Sequence, residues 1–210
     1  MHKINVFWFW RDLRIEDNAG LFHALRSGLP VLPVFIFDSN ILNQLQDKTD
    51  KRVDLIHQML YALDVALKSF GSALTILHGN PSEVFAKLTE QYSISGIYTN
   101  RDYESYAMKR DAEVKELLHS KGIEFFIFKD QVIFEYNEVL KADGKPYTVF
   151  TPYANLWKKT LSSNGFSVHH SEKESNNFLK YSTDSFPTLE SIGFEKTGII
   201  FSKPKPDISI

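Results

Sequence analysis

The chain of 210 residues contains no cysteine. Disulfides, thiolate metal sites and cysteine nucleophiles are therefore excluded. No apolar run approaches the ~20 residues needed to cross a bilayer. The opening residues 1–5 (MHKIN) run straight into a strand-like segment with no cleavable leader pattern. A cytoplasmic location without membrane contact is the simplest expectation. An excess of charge of one sign is also missing. The formal net charge is −2, which gives no general pull on nucleic acid through counterion release. The phosphate cradles G-x-x-x-x-G-K-[ST] and G-x-G-x-x-G are absent, as is the G-x-S-x-G elbow. His169 and His170 stand in a polar stretch without carboxylates at ligand spacing, so they read as a solvated pair and no metal site is expected. No nucleophile, base and acid form a set. The chain reads as a binder, with no catalytic residue of its own.

Aromatic residues are plentiful, at 14% with 17 Phe. Their first use is a large core, and their second is stacking on a flat ligand. Residues 4–10 (INVFWFW) and 31–37 (VLPVFIF) are continuous apolar runs, as strands buried on both faces require. Asn18 caps a helix over 19–26, and Gly28 stops it. Val53, Ile56, Leu60, Leu63 and Leu67 recur at helical spacing before Gly71. A short strand over 74–77 precedes Asn80-Pro81-Ser82-Glu83, a helix start with its cap, proline and acid in order. A strand over 94–100, a helix over 104–120 and a strand over 124–128 follow.

Five β-α repeats with right-handed crossovers demand an α/β fold. The expectation is a Rossmann-like, doubly wound five-stranded parallel sheet in the order 3-2-1-4-5, followed by an extended connector. Residues 1–130 form the α/β unit, and residues 131–210 form its end and the connector. A strand is predicted within 132–140 and a short helix near the end of 147–161. From Ser162 onward few apolar residues are available to bury, so mobility is expected there. The stretch 203–206 (KPKP) is linker-like.

In such a sheet ligands bind beyond the carboxyl ends of the strands, where the strand order reverses, here the crevice between the first and fourth strands. The first strand ends in Trp10-Arg11-Asp12-Leu13-Arg14, the fourth in Asn100-Arg101-Asp102-Tyr103-Glu104, and the second in Phe37-Asp38. Carboxylates and arginines beside aromatic rings suit a planar, polar ligand. Two plainer uses stay open. Arg11, Asp12, Arg14 and Asp17 can stitch the loop to the sheet, and Asp102 and Glu104 can serve a helix N-terminus.

Residues 6–21 (VFWFWRDLRIEDNAGL) resemble the opening of photolyases and cryptochromes, which run roughly as W-F-R-[RQ]-D-L-R-[LI]-x-D-N-x-x-L. Residues 31–38 (VLPVFIFD), 98–111 (YTNRDYESYAMKRD), 147–157 (YTVFTPYANLW) and 187–194 (PTLESIGF) resemble further segments of that family, in the same order. Trp10 departs from the pattern, where the family usually has a basic or polar residue. The resemblance implies the N-terminal domain of a DNA photolyase, a lyase that repairs UV-induced pyrimidine dimers by light. This domain would carry an antenna chromophore and pass excitation to FAD in a helical C-terminal domain. Reduced FAD would then donate an electron to a dimer flipped out of the duplex. The expected partners are that FAD domain and, through it, damaged DNA, with the protein a monomer. The FAD motifs lie outside these 210 residues, so this chain alone should be inactive. A cryptochrome-like blue-light photoreceptor and a free-standing nucleotide- or flavin-binding domain are the alternatives.

The same resemblance ranks the antenna. Folate-binding members use an Asn-Glu pair where Tyr106 and Ala107 stand, which disfavours folate. Deazaflavin-binding members have an R-D-x-E stretch, matched by residues 101–104, and an arginine matched by Arg52. An 8-hydroxy-5-deazaflavin is thus expected first and FMN second. Asp102 and Glu104 would accept from the chromophore and Arg52 would donate. Phe35, Phe37 and the neighbourhood of Trp10 would form walls, with Arg11 and Asp38 at the rim.

Overall fold

A computed structural model describes residues 2–183 and 185–202. In chain order it contains β1 (Ile4–Phe9), α1 (Ala19–Leu25), β2 (Val31–Asp38), the short α2 (Ser39–Leu42) and α3 (Lys51–Ser69). These are followed by β3 (Thr75–Gly79), α4 (Pro81–Gln91), β4 (Ile94–Asn100), α5 (Ser105–Ser120), β5 (Glu124–Phe128) and α6 (Phe150–Asn164). Two 3-10 turns, Ser171–Asn177 and Glu190–Ile192, close the described chain. The five strands are parallel in the order β3-β2-β1-β4-β5, as the repeat predicts.

Alternation along the central strands sorts the side chains into two cores. Phe7 and Phe9 of β1 and Phe35 and Phe37 of β2 pack with Leu21 and Leu25 of α1 and Leu60 and Leu67 of α3. Val6, Trp8, Val34 and Ile36 face the other way, onto Phe85 of α4 and Val114 and Leu118 of α5. A period of two in a strand covered on both faces produces this division. Asn18 caps α1 by accepting from the Leu21 amide, and Asn80 caps α4 by accepting from Ser82.

The second half departs from expectation in two places. Residues 132–140 form turns rather than a strand, since only Val139 among them is buried. Beyond α6 the polar segment carries more core than its composition suggests. Phe178, Leu189, Ile192 and Phe194 are all buried in the α1/α3 core. Phe178 bridges to Val31, whose carbonyl accepts from the Leu179 amide at 2.8 Å. Burying one such phenylalanine is worth about 1.5–3 kcal/mol, so the segment is laid onto the sheet layer by a few well-spaced anchors. The KPKP stretch lies outside the described residues. Among the described residues, no helix is long and apolar enough to cross a membrane.

Candidate functional site

A cavity of about 510 Å³ opens at the carboxyl ends of β1 and β2, on the β2 side of the expected crevice between β1 and β4 rather than within it. Phe35 and Phe37 form its floor. They stand on the same face of β2, with ring centroids 5.0 Å apart and planes at 79°. Ile41, Leu42, Leu45, Val53, Ile56 and Met59, from α2 to α3, complete an apolar wall. Arg11 and Arg52 bring two cations to the rim, and Asp38 and Trp10 also line the space.

The polar groups around the cavity are held by local turn chemistry. Asp38 ends β2, and its carboxylate caps α2 by accepting from the Asn40 amide at 2.9 Å. It also accepts from the Tyr106 hydroxyl. Burial, and then this bond to Asp38, push the Tyr106 hydroxyl up to about 12. Arg52 stands in the first turn of α3. Asp50 caps that helix and holds the guanidinium through both carboxylate oxygens. Asp50 is lowered to about 2, chiefly by its hydrogen bond to Arg52.

Asp102 and Glu104 stand apart from the cavity lining and reach it through Arg11. Asp102 is buried and accepts from the Trp10 indole at 2.8 Å, from the Arg11 Nε at 2.8 Å and from the Glu104 amide at 3.0 Å. Glu104, largely exposed, takes the Arg11 Nη2 at 2.7 Å. The structure thus gathers Arg11, Phe35, Phe37, Asp38 and Arg52 around one space, with Asp102 and Glu104 behind Arg11.

A buried polar network ties this region together. Asp12 accepts from the Trp10 amide, from Asn18 and from Asn100. Asn100 accepts from the Gly20 amide, locking α1 to β4. Burial raises the Asp12 pKa above 3.8, against the lowering effect of these bonds. Sequence reasoning missed α2, because four residues are too few to show a period. It also missed Tyr106 as a partner of Asp38, a pairing 68 residues apart with no local signal. Among the described residues, no group of three or more His, Cys, Asp or Glu is placed to hold a metal ion.

The family model for DNA photolyase matches residues 5–174. The deoxyribodipyrimidine photo-lyase of a Synechococcus species is 29% identical over 198 residues, covering 92% of this chain and 41% of that protein. Cryptochrome-2 of Arabidopsis thaliana is 34% identical over 170 residues, covering 80% of this chain and 27% of the relative. An archaeal photolyase from Sulfolobus tokodaii superposes with a TM-score of 0.68 at 26% identity, over 90% of this chain and 40% of that one. That crystal structure holds two FAD molecules and is described as implying a novel light-harvesting cofactor. The chain therefore spans well under half the length of these three proteins. On the match of the family model across most of its length, the chain belongs to the DNA photolyase family.

Proposed function

We propose that this chain is the light-harvesting domain of a deoxyribodipyrimidine photo-lyase and binds a flavin-type antenna in the cavity at the ends of β1 and β2. The observation that carries this reading is the cavity itself: about 510 Å³, apolar walls with two phenylalanines, and two arginines at the rim. Its size and lining are those of a site for a drug-sized planar ligand. Bound there, the antenna supplies light absorption and transfer of excitation to FAD. The residues of this chain bind it, orient it and exclude water. Phe35 and Phe37 contact the ring system, and Arg52 and Arg11 hold its polar edge. Asp102 and Glu104 set the direction of Arg11.

An 8-hydroxy-5-deazaflavin is the first candidate and FMN the second. Folate is disfavoured, because Tyr106 is spent on Asp38 and Ala107 is buried. In the complete protein, residues 131–210 would connect this domain to a helical FAD domain. The side chains of α6 support that placement: none is buried, and Phe150 is 79% exposed. Damaged DNA would be met through the complete protein.

The test is to titrate the purified chain with 8-hydroxy-5-deazaflavin, FMN and a folate, following chromophore fluorescence. Saturable binding of a flavin, lost when Ile56→Trp fills the cavity, is the expected result. Binding that survives Ile56→Trp would remove the assignment. The match to Cryptochrome-2 keeps a photoreceptor role as the second reading. Thymine-dimer repair by the complete protein under blue light separates the two, since a signalling photoreceptor shows none.

A further inference from the structure

We propose that a second cleft, between the N-terminus of α4 and the first turns of α5, is a binding site for a phosphate group. The cleft encloses about 160 Å³ and lies on the Trp8 face of the sheet, across α2 from the flavin cavity. Asn40 of α2, Ser82 of α4, and Lys109, Arg110 and Glu113 of α5 line it.

Arg110 is the unusual group. It is 4% exposed, and its guanidinium carbon lies 3.8 Å from the ring centroid of Trp10 and 4.5 Å from that of Trp8. Its Nε and Nη2 both donate to Oδ1 of Asp111. Its Nη1 is buried and meets no acceptor among the described residues. A guanidinium is a rigid planar fork that cannot shed its charge, so a donor left over after one edge is paired calls for another acceptor. The surroundings favour an anion. Lys109 adds a second cation, and the positive end of the α4 dipole points at the same space. The amides of Ser82 and Glu83 already donate to Asn80, so the helix end contributes its field and the Ser82 hydroxyl rather than free amides. Asn40 of α2 already donates to Tyr106 and Asp38, so the donors come from α4 and α5, and their spread suits a tetrahedral oxyanion better than a flat carboxylate.

Glu113 is the opposing group. It lies on the rim, 4.0 Å from Lys109, with its side chain 56% exposed. A pair this long and this wet is weak, so an entering phosphate can take Lys109 from it. The cleft would accept free phosphate or the phosphate end of a flavin nucleotide.

The probe is sodium phosphate, titrated into the full chain against sodium chloride of equal ionic strength and followed by amide NMR shifts at Ser82 and Lys109. Saturable shifts with phosphate alone are expected. Lys109→Gln should weaken binding by about tenfold, the loss of one charge-assisted contact, and Glu113→Gln should tighten it. Both positions are exposed, so both variants should fold, and Arg110→Gln is a supplementary test. A parallel comparison of FMN with riboflavin identifies the source. A preference for FMN that Lys109→Gln abolishes assigns the site to a nucleotide tail, whereas phosphate binding without that preference assigns it to free phosphate. Shifts no larger than those in chloride, or affinities unchanged in both exposed variants, would overturn the proposal. The inorganic phosphate arm needs no flavin, so its outcome is independent of the antenna reading.

Discussion

The indole N–H of Trp10 donates to Oδ2 of Asp102 at 2.8 Å, across 92 residues of chain. It joins the end of β1 to the end of β4 at the reversal of strand order, and the same carboxylate oxygen holds the Nε of Arg11. Trp10→Phe keeps an aromatic ring against Arg110 but removes the donor together with part of the indole surface. A hydrogen bond to a charged group is worth about 1.5–3 kcal/mol, so the variant should lose stability of that order in urea unfolding. Its flavin affinity should fall as well, because Arg11 loses part of its support. An unchanged urea midpoint would mean that the bond is not formed in solution.

Gly20 marks the closest approach of α1 to the sheet. A Cβ there would stand 2.6 Å from Oδ1 of Asn100, 3.0 Å from the Phe7 ring and 3.2 Å from the Thr99 backbone. Neither the backbone nor the buried, hydrogen-bonded Asn100 has room to retreat. Gly20→Ala should therefore destabilise by about 1–3 kcal/mol, the usual cost of overpacking. The lowered melting temperature should be read by calorimetry, since a helical position with room for a methyl group otherwise gains from this exchange.

Arg52 offers a cleaner test of the cavity. Its side chain is 74% exposed and its ion-pair partner is the cap residue Asp50. Arg52→Ala should lower the melting temperature only slightly, because the pair with Asp50 is exposed and screened, while weakening flavin binding several-fold. Equal affinity for the variant and the parent would take Arg52 out of the site.

Two carboxylates should titrate in opposite directions. Asp50 is lowered from 3.8 to about 2 by its hydrogen bond with Arg52. Its stabilising effect is therefore complete above 3.8 and is lost as pH falls towards 2. Asp12 is raised above 3.8 by burial. The folded state holds that proton more tightly, so its contribution is greatest below 3.8 and is lost as pH rises through the raised value. Carboxyl NMR titration should find both displacements, and Arg52→Ala should return Asp50 towards 3.8. An Asp50 titration indifferent to that substitution would disprove the pairing.

The sheet was legible because its signals are local. The apolar runs of β1 and β2, the caps Asn18 and Asn80 and the stops Gly28, Gly71 and Gly122 each act within a few residues. Hydrophobic spacing cannot show which polar segment docks where. Residues 162–202 read as poor in core, yet Phe178, Leu189, Ile192 and Phe194 complete the α1/α3 face. Four anchors spread among Ser, Asn and Glu have no period to detect.

The sequence by itself determined the α/β class, the strand order and the family, because periodicity, capping and motif order are properties of adjacent residues. Only the tertiary structure decided how the charges divide at the strand ends. Arg11, not Asp102, lines the cavity at the ends of β1 and β2, and the buried Asp102 carboxylate is taken up by Trp10 and Arg11. Likewise only packing could bring Arg110 between two tryptophans with one donor left over. Pairings made across 68 to 92 residues depend on which surfaces the folded sheet brings together, and no local pattern records them.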